Sequence, residues 1–337
     1  MLYVQGEYVE MMFIGFDISK DKVDLCWLRD PITNKKKTKV FKNNHLAFKE
    51  IKQWLLSTTK TIAEEIVITV EPTGVYHEPL MYFLYQQGFN IILANPSKAK
   101  KYAEALNVVH KTDRSDAIML ASYGYAKHSI VNYWQPEAKE IRELKALLRR
   151  LDALESSKQR EHNRLEASEF NAASERVIQS LKETINFLDD EIKKLKLDID
   201  NHIDSFPNLK KDRALLETIP GIGPVMSREL TYIFAAKKFN QAKQAAAYCG
   251  LIPKLHESGK MKGRTTLSKL GPSRIRSKLY MAAVVAGQWN YQIKQQKIRL
   301  MNHGKTSMQI IGANMRKLIH ICFGVVKNQE AFKLQES

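Results

Sequence analysis

The run Ile66-Val67-Ile68-Thr69-Val70 constrains this chain more than any other stretch. It is short, apolar and β-branched, the profile of a strand covered on both faces. Such a strand needs neighbours beside it and helices above and below it, so the surrounding segment has to be layered α/β structure. The flanking patterns supply those parts. Met12-Phe13-Ile14-Gly15-Phe16-Asp17-Ile18-Ser19 reads as a buried strand carrying one acid, residues 23–28 as its return strand, and Lys39-Val40-Phe41 as an edge strand. Leu46, Phe48, Ile51, Trp54 and Leu55 recur with helical period over residues 45–56. A helix follows Thr73-Gly74 and stops at Gly88; residues 90–94 form another strand, and Pro96-Ser97 opens a further helix.

The order ββ(β)αβαβα describes a mixed sheet with helices on its faces, the order of ribonuclease-H-like nuclease domains. It puts Asp17 on the first strand and Glu71 at the carboxyl end of the later parallel one, where ligands of such sheets gather. Next comes Lys111-Thr112-Asp113-Arg114-Ser115-Asp116-Ala117, in which two acids three residues apart share a face as a helical pattern begins. Taken singly, each acid has an ordinary reading: a solvated helix start with acids at its N-terminus, or a strand Asp at an edge. Together, Asp17, Glu71, Asp113 and Asp116 stand at element ends with no compensating Lys or Arg cluster. They repel one another unless hard cations bridge them. Oxygen-only ligation suits Mg²⁺ or Mn²⁺, and a pair of such ions promotes phosphodiester displacement.

Charge divides the chain. Residues 1–204 carry 30 Lys+Arg against 30 Asp+Glu, and residues 205–337 carry 23 against 6, so the net +17 resides in the C-terminal part. That part reads as a nucleic-acid binder, because cations that neutralise phosphates release counterions; a merely soluble basic surface is the alternative. Cys26, Cys249 and Cys322 have neither disulfide-framework nor zinc spacing, which points to a reducing cytosol. No apolar run approaches the roughly 18 residues of a membrane span, and no signal peptide is visible. The first residues, Met1 to Glu10, are polar and unpatterned and read as an upstream start or a loose tail.

Beyond Pro136 two apolar stripes, Ile141/Leu144/Leu148/Leu151 and Val177/Leu181/Leu188/Ile192/Leu195/Ile199, predict two long helices with a polar, weaker centre over residues 156–174. They read either as a coiled-coil hairpin or dimer arm, or as a helical linker packed on its own protein. Thr218-Ile219-Pro220-Gly221-Ile222-Gly223-Pro224 lies between two helical patterns, with Pro224 suited to start the second. The form is that of a helix-hairpin-helix whose backbone amides at Gly221 and Gly223 suit a DNA phosphate, or of a structural turn. Tyr248-Cys249-Gly250-Leu251-Ile252-Pro253 then leads into residues 254–278, with eight Lys/Arg and one acid, Glu257. Lys254, Lys260, Lys262, Arg264, Lys269, Arg274 and Arg276 are the candidate nucleic-acid contacts there. Ser258, beside Gly259 and among these cations, could present its hydroxyl to a phosphate. Residues 279–286 and 310–326 close the chain as apolar helices.

Gly15-Phe16-Asp17-Ile18-Ser19-Lys20, Val70-Glu71-Pro72-Thr73-Gly74-Val75-Tyr76 and Lys111-Thr112-Asp113-x-x-Asp116-Ala117 resemble motifs of the DEDD transposases of the IS one-ten insertion-sequence family, related to the Piv/MooV DNA invertases. Ile219-Pro220-Gly221-Ile222-Gly223, Gly250-Leu251-Ile252-Pro253 and Ser258-Gly259-Lys260…Gly263-Arg264 resemble the transposase domain of the same family. The motifs run in order over roughly residues 12–325. The resemblance implies a RuvC-like fold binding Mg²⁺ through Asp17, Glu71, Asp113 and Asp116, with Ser258 as the nucleophile of a phosphoserine intermediate; Ser268, Ser273 and Ser277 are close competitors for that role. It also implies a homo-oligomer, dimer or tetramer, that pairs one subunit's RuvC-like domain with another's serine domain. A structured non-coding bridge RNA would pair with double-stranded donor and target DNA.

The expected architecture is therefore a tail (1–11), a RuvC-like DEDD domain (12–134), a coiled-coil or helical linker (135–206) and a basic, mainly α-helical domain with a helix-hairpin-helix-like motif (207–330). The expected activity is DNA transposition or recombination in a bacterial or archaeal cytoplasm, at the nucleoid and away from membranes. The alternatives are a RuvC-like structure-specific nuclease that uses activated water, and a nucleic-acid scaffold without chemistry.

Overall fold

The computed structural model describes residues 2–4, 7–72, 74–106, 112–254, 257–258, 261–262 and 266–333. The chain forms two compact units, Met1–Pro136 and Glu137–Ser337.

In the first unit β1 (Leu2–Val4) and β2 (Glu7–Val9) pair antiparallel, Leu2 opposite Val9, where the sequence suggests an unpatterned tail. The main sheet comprises β3 (Met12–Ile18), β4 (Lys22–Asp30), β5 (Lys35–Lys42), β6 (Ile66–Val70) and β7 (Asn90–Leu93). Its order is β5-β4-β3-β6-β7. β3 pairs antiparallel with β4 and parallel with β6, and β6 parallel with β7. All of β6 is buried, as its composition requires. Helices α1 (His45–Thr59), α2 (Glu78–Gln86), α3 (Pro96–Ala105) and α4 (Asp113–Lys127) complete the layers.

Strand alternation sorts the side chains between two faces. Ile14, Phe16, Ile18, Ile66, Ile68 and Val70 join a core with Ile51, Leu55, Leu80 and Leu84 of α1 and α2. Phe13, Val67 and Ile92, of opposite parity, pack against Met119, Leu120 and Tyr123 of α4. Gly15 lies on this second face, and a β-carbon there would overlap the Ala117 carbonyl and the Ala121 amide of α4. Glycine and alanine thus let the helix backbone rest directly on the strand.

The second unit opens with α5 (Lys139–Phe170) and α6 (Glu175–Asp204). They form an antiparallel hairpin, tied by Lys158–Asp189 and by Lys196–Glu155 (3.2 Å). α5 is continuous through the polar stretch that the sequence marks as a weaker centre. Ion pairs one turn apart such as Arg164–Glu161 support it there, and residues 171–174 alone make the turn. At the hairpin base Ile141, Leu144, Leu148, Ile199 and Ile203 belong to the same core as Leu216, Ile219, Leu230, Leu279 and Leu318. That core is continuous across residue 206. It is closed by α7 (Pro207–Glu217), α8 (Pro224–Ala236), α9 (Ala242–Tyr248), α10 (Ser273–Trp289), α11 (Tyr291–Asn302) and α12 (Ser307–Asn328). Short strands β8 (Pro253–Lys254), β9 (Glu257–Ser258), β10 (Met261–Lys262) and β11 (Thr266–Leu267) lie between α9 and α10. β8 pairs with β11 and β9 with β10, both antiparallel.

Because no side chain fits between β3 and α4, Gly15→Ala has to push the helix away. Unfolding in denaturant should show a loss of about 1–3 kcal/mol; an unchanged midpoint would remove the close contact from the account.

Candidate active site

The acid-bearing site is built on the α4 face of the sheet. Asp17 has the parity of Phe13 and Gly15 and therefore points to that face. Register places Asp24 of β4 directly opposite Asp17, so the two carboxyls share it. Glu71 follows the last residue of β6 and continues the alternation of Val67 and Thr69. Asp113 and Asp116 lie in the first turn of α4. A capping box starts that helix: the Ser115 amide donates to Thr112 Oγ1 (3.1 Å) and the Thr112 amide donates to Ser115 Oγ (2.8 Å). The motif's Thr and Ser thus begin the helix, and its N-terminal dipole favours the acids.

The Asp17 carboxyl is pushed up to about 6 by burial first, then by the charges of Asp113, Asp116, Asp24 and Glu71. Asp113 moves the opposite way: its hydrogen bond to the Lys22 ammonium holds it below the usual carboxylate range. Lys22 Nζ stands 2.6 Å from Asp113 Oδ2 and 3.1 Å from Asp24 Oδ2.

Two elements of this site were not anticipated. Asp24, only 7% exposed, is a fifth carboxylate. Lys22 supplies compensation that the reading of an uncompensated quartet denied, because the turn after β3 brings the start of β4 beside the α4 N-terminus. Both follow from hairpin register, which sets Lys22 and Asp24 on one face at a spacing of two. His77, buried just before α2, has no partner for Nδ1 among the described residues, and burial lowers its basicity.

A donor set made only of carboxylates has the chemistry of a hard-cation site. Among the described residues no three His, Cys, Asp or Glu side chains are arranged to enclose one ion. The ammonium of Lys22 meanwhile provides cationic charge against Asp113 and Asp24.

In the second unit Ser258 lies on β9, its backbone opposite Met261 of β10. Lys262 of β10 is opposite Glu257, and Gly259, Lys260, Gly263 and Arg264 lie outside the described residues. What frames this hairpin is a contact between two glycines. Gly250, at φ +72°, lies against the Lys269–Leu270 backbone, and a β-carbon on Gly271 would overlap the Tyr248 carbonyl. The chain leaving α9 and the chain entering α10 are thereby held together, with β8 and β11 rising from the junction.

The basic candidates separate into two groups. Lys254 and Lys269 are exposed. Arg276 donates to the Gly271 carbonyl (2.6 Å) and so braces the glycine junction. Arg274, which the sequence assigns to nucleic acid, is turned inward instead. It donates to Glu229 Oε1 and Oε2 at 2.9 and 2.8 Å and also to Asp152. Lys278 donates to Asp152 Oδ1 (2.6 Å) and Glu229 Oε1 (2.7 Å). Glu229 is fully buried, burial raises its pKa, and a buried carboxylate needs cationic partners. That demand on α8 takes Arg274 and Lys278 from α10. At the α7–α8 turn a β-carbon on Gly221 (φ +100°) would meet Ala286 of α10, whereas Gly223, before the N1 proline Pro224, faces open space.

A transposase family model matches residues 14–168, spanning all four acids. A model of the transposase IS116/IS110/IS902 family matches residues 213–297, spanning the α7–α8 turn and the serine hairpin. Pilin gene-inverting proteins of Moraxella bovis and Moraxella lacunata are each 32% identical to the chain over 330 residues, covering 95% of it and 97% of the relative. An α/β unit and a basic helical unit, matched in this order, define a DNA transposase or recombinase. The chain belongs to the IS116/IS110/IS902 family of transposases. No helix among the described residues is long and apolar enough to cross a membrane.

An acid raised from its ordinary value to about 6 binds its proton more tightly in the folded state. Its ionisation costs the folded protein stability as pH rises from about 4 through 6, and the whole cost is present above that window. In chelator-treated protein at about pH 7.5, Asp17→Asn should therefore melt above wild type, and the gap should close toward pH 4. A lower melting point for the variant at neutral pH would contradict the crowding of charge at this site.

Proposed function

We propose that the protein is a site-specific recombinase that cuts and rejoins double-stranded donor and target DNA through a phosphoserine intermediate at Ser258. The observation that carries this reading furthest is the similarity to pilin gene-inverting proteins along nearly the whole chain; the crowding of Asp113, Asp116, Asp24 and Glu71 about the buried Asp17 supports it. Strand order β5-β4-β3-β6-β7, in which β4 alone runs against the other four strands, supports a RuvC-like assignment for the first unit. Asp17, Glu71, Asp113 and Asp116 would hold Mg²⁺, or Mn²⁺, which when bound supplies charge to stabilise the phosphodiester transition state. Asp24 keeps Lys22 against Asp113, so the α4 carboxylates stay placed before any ion arrives.

At the serine hairpin the Ser258 oxygen forms a bond to phosphorus as the bond from phosphorus to a deoxyribose oxygen breaks. Attack by the hydroxyl of the incoming strand reverses the exchange, frees Ser258 and joins new DNA ends without loss of bond energy. Lys254, Lys260, Lys262, Arg264, Lys269 and Arg276 bring positive charge to this segment. Gly223 and the α8 N-terminus form the helix-hairpin-helix contact to a phosphate. A bridge RNA selects the donor and target sites. The active assembly is a homo-oligomer, dimer or tetramer, in which one subunit's acids serve a partner's serine. The protein works in the cytoplasm, at the nucleoid.

Incubation with cognate DNA and Mg²⁺ followed by denaturation should leave protein covalently attached to labelled DNA. Ser258→Ala should abolish both the adduct and joining; free nicked product with no adduct in wild type would favour a RuvC-like nuclease using activated water. Asp113→Asn and Asp116→Asn should each lose cleavage, on the order of a hundredfold or more, with DNA binding kept. Affinity should fall steeply and linearly in log–log salt plots, and a flat dependence would rule out phosphate neutralisation by the basic unit.

A further inference from the structure

On the same excursion as the serine hairpin is a cleft of which the reaction above uses only one lining residue, Lys269. It has a volume of about 510 Å³ and lies between the strand pair β8/β11 on one side and the end of α11 and start of α12 on the other. Its volume falls in the range of about 300–1,000 Å³ typical of small-ligand pockets. The interior is apolar, with Leu251, Leu267, Leu300 and Ala313, and the exposed Met308 stands at its edge. The charged groups that line it are Lys269, Lys305 and Arg316, and no carboxylate is among the lining residues. None of these three cations has an ion-pair partner among the described residues. The polar groups of the α12 start are already engaged, since Gln309 Oε1 accepts from the Thr306 amide (3.0 Å) in a capping box.

An apolar interior inside a purely cationic rim selects among ligands. An inorganic anion would gain nothing from the leucines and the methionine. An aliphatic side chain from another protein would have no use for three unpaired cations. A nucleotide matches both parts, with a base whose faces are apolar and phosphates on either side of it. Lys269 adds a second observation. It adopts the left-handed conformation (φ +55°), which is strained for a residue with a β-carbon. Its amide donates to the Gly250 carbonyl (3.1 Å), so the glycine junction imposes this backbone, and the chain places an ammonium where glycine or asparagine would be less strained.

Position supplies the class of nucleic acid. Pro253 lines the cleft, and Ser258 follows five residues later on the same excursion. Five residues span at most about 17 Å, the length of only a few nucleotides of strand. We propose that the cleft receives one unpaired base of the DNA strand whose phosphate Ser258 attacks, with Lys269, Lys305 and Arg316 holding the adjoining phosphates. A base drawn out of the stack and seated there fixes the register of the strand, so that one particular phosphodiester stands at the serine. The location relies on the serine reading, but occupancy is measured by binding and not by joining, so the two stand or fall separately.

The test compares the full chain's affinity for a labelled single-stranded deoxyoligonucleotide and for an abasic strand of the same length and charge. Wild type should prefer the base-bearing strand, and Ala313→Phe, which fills the cleft without altering charge, should erase a preference on the order of tenfold. Arg316→Gln should weaken both strands alike and lower the salt slope by about one. An unchanged preference in Ala313→Phe overturns the proposal, as does a stronger preference for the ribo strand, which would assign the cleft to RNA. A change confined to self-association in sedimentation would make it a protein interface and overturns the proposal too. Photocrosslinking wild type with 5-iodouracil DNA needs no variant. Adducts on peptides containing Leu267 or Met308 support the assignment, and adducts confined elsewhere refute it. Ser258→Ala should keep the base preference while losing the covalent adduct.

Discussion

The contact on which the first unit depends is the one between β3 and α4 at Gly15. With no side chain between them, the helix lies directly on the strand, its Ala117 carbonyl and Ala121 amide over the glycine. This close approach helps bury Asp17 and brings the α4 N-terminus near it, so that burial first, and then the charges of Asp113 and Asp116, raise its carboxyl to about 6. A larger residue at position 15 would separate them. The crowding is tolerated because the capping box and the helix dipole favour acids at that end, and because Lys22 neutralises one side of the cluster.

The second unit applies the same logic with different parts. Two glycines, Gly250 and Gly271, bring backbone against backbone at the base of the serine excursion, and Arg276 braces the junction from α10. Beneath it the buried Glu229 draws Arg274 and Lys278 inward together with Asp152 of α5. Removing one partner of such a network leaves an uncompensated buried charge and costs about 3–5 kcal/mol. Part of the positive charge in this segment is therefore structural. Lys254 and Lys269, by contrast, are exposed.

Much of this was legible in the residues. Ile66 to Val70 announced a central strand, Pro96 and Pro224 announced helix starts, and the order of elements announced a mixed sheet. Asp17, Glu71, Asp113 and Asp116 stood out in the sequence because each was read at an element end. Less legible were Lys22 and Asp24, since their part depends on the register of a hairpin and not on their own pattern. Arg274 was misread for a related reason. A basic residue among basic residues carries no local sign that a carboxylate forty-five positions earlier is buried beneath it.

By itself the sequence determined the period of the central strands, of α1 and of the long α5–α6 hairpin, and the division of charge between the two halves, because these depend on residues near one another along the chain. Only the tertiary structure decided which carboxylates share a face, which cation answers them, which arginines are withdrawn into the core and where a cationic cleft opens on the serine excursion. Those outcomes turn on strand register and on backbone approaches at Gly15, Gly250 and Gly271. They join residues far apart in the chain, and no local pattern encodes the distance between them.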